Sequence, residues 1–157
     1  MDNVSDKETV LFICTHNAGR SQMAEALLRQ MHGDRFETSS AGTDPKPVNP
    51  YVVRALAETG IDISAARSKS IEEFRGRTFD NIVTLCDRAR QDCPFFPGGK
   101  NFLHQAFPNP SSFQGTDEQV LAGARQVRDE IRAWLEKTFA APAIAPKKLS
   151  GGFEMDG

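Results

Sequence analysis

Cysteine is scarce in this 157-residue chain, with one each at positions 14, 86 and 93. An odd number of cysteines with no secretion signal argues against a disulfide scaffold. It points instead to thiols kept for chemistry in a reducing cytoplasm. Long apolar runs are missing too: none approaches bilayer length, and the N-terminus is polar and acidic rather than signal-like, so no membrane association is expected. Charge of one sign is also lacking. The 19 Lys and Arg against 21 Asp and Glu leave a net charge of −2, which implies neither nucleic acid nor an anionic membrane as partner. There is no internal repeat. The length suits one domain with a real core, expected as a monomer.

The most informative stretch is Val10-Leu11-Phe12-Ile13-Cys14-Thr15-His16-Asn17-Ala18-Gly19-Arg20-Ser21. Val10 to Ile13 read as a short buried strand. A small, polar loop follows, and from Ser21 to Arg29 the spacing becomes helical, with Met23, Ala26 or Leu27, and Gln30 or Met31 on one face. Backbone N–H groups of a loop entering a helix are unpaired, and the helix dipole makes the spot locally positive. Such a nest binds a tetrahedral oxyanion and favours a thiolate over a thiol. Arg20, six residues after Cys14, can grip two oxyanion oxygens with its planar fork. Gly19 is expected to let the loop turn tightly, and Ser21 to donate a hydroxyl hydrogen bond to the sulfur. Thr15, His16, Asn17, Ala18, Gly19, Arg20 and Ser21 are therefore the candidate oxyanion-binding residues, with Cys14 as nucleophile.

The rest of the chain alternates strands and helices. Residues 1–8 read as a flexible lead-in. Phe36–Gly42 reads as a second strand, and Asn49-Pro50 starts a helix that stops at Thr59-Gly60. Ser70-Ile71-Glu72-Glu73-Phe74 opens a short helix with Ser70 and Glu73 in capping-box spacing. Phe79–Leu85 is a third strand ending at Cys86, and Lys100–Phe107 holds a fourth. Thr116 or Asp117 caps a final helix to about Phe139, with Val120, Leu121, Ala124, Val127, Ile131, Trp134 and Leu135 as its apolar stripe. The expected fold is α/β: a single domain over 9–139 with a four-stranded parallel sheet flanked by helices on both faces. Residues 140–157 read as a flexible tail. Ligands of such sheets bind beyond the carboxyl ends of the strands, where Cys14 and Cys86 both fall.

Cys86 and Cys93, seven residues apart with charged residues between them, have the wrong spacing for a zinc site or a Cys-x-x-Cys motif, and no metal site is expected. They do suit a relay, in which a thiol on a polar loop attacks a Cys14 adduct and another resolves it as a disulfide.

Cys14-Thr-His-Asn-Ala-Gly-Arg20-Ser21-Gln-Met-Ala-Glu25, with Val-Thr-Leu-Cys86 and Cys93-Pro94, resembles the arsenate reductases built on the low-molecular-weight tyrosine phosphatase fold. The likeness extends through Ser39-Ser40-Ala41-Gly42, Gly60-Ile61-Asp62-Ile63-Ser64 and Val127–Ile131. Phosphatases of this fold share the loop, whereas the two later cysteines mark the reductases. The resemblance implies that Cys14 attacks arsenate, with phosphate or sulfate as competing oxyanions. Cys86 then forms a disulfide with Cys14 and releases arsenite, and Cys93 takes over to leave Cys86–Cys93. Thioredoxin, or glutathione and glutaredoxin, reduces that disulfide for arsenic detoxification, and no bound cofactor is needed.

Two departures from the family stand out. Its late loop carries an Asp-Pro whose acid protonates the leaving oxygen, but here the run is His104-Gln105-Ala106-Phe107-Pro108-Asn109-Pro110. Asn109 at the acid position can donate a hydrogen bond but not a proton, which leaves solvent to protonate arsenate's own hydroxyl, or His104 or Asp117 as substitute acids. Some members also bind potassium through residues like Asn17, Glu25 and Ser40 and a carboxylate. Lys69 falls at that carboxylate's place, so its ammonium is expected to replace the ion and pair with Glu25. The alternatives to a reductase are a phosphatase, disfavoured by Asn109 and by few aromatics for a phosphotyrosine pocket, and a non-catalytic oxyanion binder or sensor, disfavoured by the lack of a DNA-binding element.

Overall fold

The centre of the structure, a computed structural model describing residues 7–86 and 96–140, is the strand β1, Glu8–Cys14. Val10 to Cys14 are all buried, as an unbroken apolar run demands of a strand covered on both faces. It pairs in parallel with β2 (Phe36–Gly42) on one side and β3 (Phe79–Thr84) on the other, and β3 pairs in parallel with β4 (Gly99–His104). The sheet order is β2-β1-β3-β4. The connection after β1 leads to one side and that after β3 to the other, so the strand order reverses between these two strands. That switch point is where parallel sheets open a ligand crevice.

Alternation along β1 divides the core. Val10 and Phe12 face a cluster that includes Met23, Leu27 and Leu28 of α1 (Arg20–His32), Val52 and Leu56 of α2 (Pro50–Ala57), and Leu121, Val127, Ile131 and Leu135 of α3 (Asp117–Thr138). Leu11 and Ile13 face the opposite way, onto Ile71, Phe74, Phe79, Ile82 and Phe96. The second face is thus covered by the 3₁₀ turn Ile71–Phe74, and helical segments lie on both sides of the sheet. Phe139 closes the larger cluster edge-on against Phe12, Phe36 and Trp134.

Local signals set most boundaries. The Asn49 side chain accepts from the Tyr51 N–H and Pro50 occupies the first turn of α2, while Thr116 and Gln119 form a reciprocal capping box at the start of α3. Two boundaries differ from expectation. Ser70 Oγ accepts from the Glu72 N–H, and the Glu73 carboxylate is held by Arg67 at 2.7 and 2.9 Å, so no capping box closes there and the turn stays 3₁₀. The fourth strand begins at Gly99 and ends at His104, because the Gln105 N–H makes the last bond to Thr84 and Pro108 then brings no donor for a ladder. Among the described residues no helix is long and apolar enough to cross a membrane.

Helices α2 and α3 are joined at the surface by Glu58, whose carboxylate accepts from Arg125 at 2.6–3.0 Å and from Arg128 at 3.0 Å. The Arg125 hydrogen bonds, reinforced by Arg128 and opposed by desolvation, lower the Glu58 carboxyl from 4.5 to about 2. A depressed carboxyl contributes stability that is complete above the unfolded value and lost as pH falls through the folded one. Glu58→Gln is therefore expected to lower Tm at pH 7, with the gap from the unaltered protein narrowing below pH 4.5 and closing near pH 2. Thermal melts across that range check it.

Candidate active site

The loop from Cys14 to Arg20 runs between β1 and α1 at the switch point, and its carbonyls are all turned outward. Thr15 O accepts from the Asp44 N–H (2.8 Å), His16 O from Lys46 (3.1 Å), Ala18 O from Asn49 (2.9 Å) and Gly19 O from Met23 (2.9 Å). Asn17 O accepts from Ser68 Oγ at 2.9 Å and from Gln22 Nε2 at 3.2 Å. With the carbonyls committed to the surrounding backbone, the N–H groups from Thr15 to Gln22 find no protein acceptor among the described residues. Left unpaired at a helix N-terminus, they form an anion nest.

The turn depends on residues other than the expected glycine. Gly19 has a negative φ of −143°, and a Cβ there would make only ordinary contacts at 3.4 Å. The left-handed position is Asn17, fully buried at φ 51°, a conformation asparagine tolerates. The close approach is made by Gly42 at the end of β2. A Cβ on Gly42 would lie 2.6 Å from Thr15 O and 2.8 Å from Asn17 N.

A directed chain of hydrogen bonds leads to the sulfur. The Lys69 backbone N–H, which can only donate, lies 2.8 Å from Asn17 Oδ1, and Gln22 Nε2 donates to the same oxygen at 3.0 Å. Asn17 Nδ2 must then be the end that faces Ser21 Oγ, to which it donates at 2.7 Å. The single hydroxyl hydrogen of Ser21 is left for Cys14 Sγ, 2.9 Å away. An anionic sulfur accepts such a bond better than a neutral thiol. Cys14 is a free thiol, only 1 % exposed.

Arg20 is equally buried, at 6 % exposure. Its Nη1 reaches two backbone carbonyls, Leu85 O at 3.5 Å and Phe107 O at 3.4 Å, and no carboxylate pairs with it among the described residues. A buried guanidinium held only by long bonds to carbonyls is well placed for an anionic ligand. Together with Thr15 and His16 it lines a cavity of about 800 Å³ whose far wall includes Phe107, Pro108 and Asn109.

Asn109 does reach this cavity, but as an amide. Its Oδ1 accepts from the Ser111 N–H at 3.0 Å and caps the 3₁₀ turn Pro110–Ser112. Neither expected substitute acid lines the cavity. His104 Nδ1 is tied to Thr84 Oγ1 at 2.7 Å, and Asp117 accepts the Tyr51 hydroxyl at the start of α3. The structure adds a carboxylate that sequence reasoning passed over, Asp44, which lies on the cavity wall beside His16. Nothing local in the sequence pairs these two residues; the contact arises because the segment after β2 folds across the loop.

Lys69 lies where the sequence placed it. Its ammonium is 3.8 Å from Glu25 Oε1, and Ser40 Oγ donates to that same carboxylate oxygen at 2.5 Å. The Asn17 amide oxygen is already taken by two donors. A monovalent cation does not fit this group, because an ammonium already faces the carboxylate. No cluster of metal-ligating side chains occurs among the described residues.

Cys86 lies two residues past the end of β3, is 1 % exposed and is disulfide-bonded. The adjacent Leu85 N–H donates to Ile13 O at 2.9 Å, which keeps the ends of β1 and β3 side by side. Cys93 lies outside the described residues, as do the residues from 141 onward.

This arrangement defines a class of protein. The chain belongs to the low molecular weight phosphotyrosine protein phosphatase family, whose profile matches residues 9–141. Within that class its relatives carry a particular name. A curated arsenate reductase of Halalkalibacterium halodurans is 42 % identical over 135 residues, covering 86 % of this chain and 96 % of the relative. A solved structure described as an arsenate reductase in the phosphate-binding state is 28 % identical with a TM-score of 0.67, covering 85 % of this chain and 97 % of the other. A thioredoxin-dependent arsenate reductase of Corynebacterium glutamicum is 31 % identical with a TM-score of 0.60, covering 86 % of this chain and 63 % of the other.

Gly42→Ala should displace the loop and weaken phosphate binding at least tenfold in calorimetric titration. Gly60→Ala, at a left-handed φ of 86° with open space around it, should cost about 1 kcal/mol of stability and leave phosphate affinity unchanged.

Proposed function

We propose that this protein is an arsenate reductase that works by a three-cysteine relay. The observation that carries the reading is the free Cys14 thiol under an N–H nest, with a buried Arg20, neither nest nor guanidinium having an acidic partner among the described residues. Arsenate, as a tetrahedral oxyanion, suits the nest, and the Cys14 thiolate attacks its arsenic while one oxygen leaves as water. Cys86, held at the end of the neighbouring strand, then attacks the Cys14 sulfur. A Cys14–Cys86 disulfide forms, the sulfur–arsenic electron pair stays with arsenic, and arsenite is released. Cys93 next attacks Cys86, which frees Cys14 and leaves Cys86–Cys93. The names of the relatives, among them a thioredoxin-dependent enzyme, support the reaction and favour thioredoxin over glutaredoxin with glutathione as donor. Asn109 on the cavity wall argues against phosphate ester hydrolysis, since an amide delivers no proton to an alkoxide.

The reduced protein mixed with arsenate should release one arsenite per chain and become a multiple-turnover enzyme with thioredoxin, thioredoxin reductase and NADPH. Cys14→Ser should abolish all arsenite release. Cys93→Ser should give one turnover and stall, with a Cys14–Cys86 disulfide in peptide mass mapping; sustained turnover of this variant with thioredoxin would contradict the relay. Because Lys69 faces Glu25, exchanging sodium for potassium at constant ionic strength should leave kcat/KM within about twofold, and a strong rise specific to potassium would contradict that assignment.

A further inference from the structure

The reductase chemistry needs a proton for the oxygen that leaves arsenic, and Asn109 cannot supply one. His16 occupies the second position of the loop after Cys14, on the wall of the cavity that Arg20 and Asn109 also line. Its Nδ1 is 2.9 Å from the Asp44 main-chain oxygen. A carbonyl only accepts, so Nδ1 carries a hydrogen and Nε2 is the nitrogen left for the cavity. The Asp44 carboxylate lies 3.7 Å from the same Nδ1 and is itself 3.3 Å from the Lys46 ammonium. Asp44 is in turn anchored to the loop, its backbone N–H donating to Thr15 O at 2.8 Å. The ring is thus fixed to the loop that holds the nucleophile, by a segment bonded to that loop. The ionisable groups facing it are Asp44 and Lys46 from the segment after β2, and Arg20 across the cavity. Among the described residues no other carboxylate or imidazole lines the cavity.

We propose that His16, held in place by Asp44, is the proton donor for the first step of arsenate reduction, an assignment that rests on the reductase reading above. In the cationic ring Nε2 carries the transferable proton. As the Cys14 sulfur bonds to arsenic, the bond from arsenic to a hydroxyl oxygen breaks with its electron pair. The oxygen takes the Nε2 proton and departs as water. Arsenic stays pentavalent and the ring becomes neutral, to be protonated again by solvent. The two-electron reduction comes only afterwards, at the attack on the Cys14 sulfur. An imidazolium is a competent general acid.

Single-turnover arsenite release, with reduced protein in excess over arsenate, tests the assignment across pH 5.5–9. Phosphate affinity measured by calorimetry serves as a control for loop integrity. His16→Gln should slow the step by about 100-fold or more at neutral pH, the range of general acid catalysis, and abolish the fall in rate on the alkaline side, with the loss in rate exceeding any loss of phosphate affinity at least tenfold. Asp44→Asn, acting through position, should give a smaller loss. His16→Gln combined with Asn109→Asp should recover at least tenfold, because an acid is restored on the opposite wall. A His16→Gln variant that keeps its rate and pH profile overturns the role, as does one whose rate falls only in proportion to phosphate affinity. Unaltered protein that releases no arsenite overturns the reductase reading and this role with it, whereas turnover indifferent to His16 overturns this role alone.

Discussion

Everything at this site depends on which way the peptide units between Cys14 and Gln22 face. The carbonyls from Thr15 to Gly19 are each satisfied by donors from outside the loop, supplied by Asp44, Lys46, Ser68, Gln22, Asn49 and Met23. A peptide whose carbonyl is bound outward turns its N–H inward, so the surroundings of the loop create the nest rather than the loop alone. Gly42 shows how little tolerance there is, since even one methyl group would press on Thr15 O and Asn17 N. The cost of so many unpaired donors is recovered when an oxyanion accepts them.

The same frame reaches the Cys14 thiol. Lys69 contributes at both ends: its backbone N–H orients the Asn17 amide, and its ammonium balances Glu25. Asn17 then fixes the direction of the Ser21 hydroxyl, which serves Cys14. One residue beside the end of β2 is thus linked to the Cys14 sulfur through two intervening side chains.

Local features were readable before any coordinates. The apolar run of β1, the Asn49-Pro50 start of α2, the Thr116 cap and the stripe of α3 each state their structure within a few residues, and they form where expected. The Cys14-to-Arg20 spacing was legible for the same reason, because strand, loop and helix are contiguous. Less legible were features that depend on distant segments meeting. The approach of Asp44 to His16 spans 28 positions, and His104 and Asp117 miss the cavity because Thr84 and Tyr51, from other elements, claim them. The role given to Gly19 failed because glycine near a turn suggests flexibility, while the positive φ was carried by Asn17.

The central claim is that the backbone from Thr15 to Gln22 is the oxyanion site. It is tested most directly by titrating ¹⁵N-labelled Cys14→Ser protein with arsenate, and separately with phosphate, while following amide resonances. The substitution blocks chemistry and leaves the backbone donors in place. Saturable downfield shifts concentrated on the amides of residues 15–22, with the Arg20 side-chain resonance moving in step, are the predicted result. Shifts that centre elsewhere, or no saturation with either anion, would contradict the account.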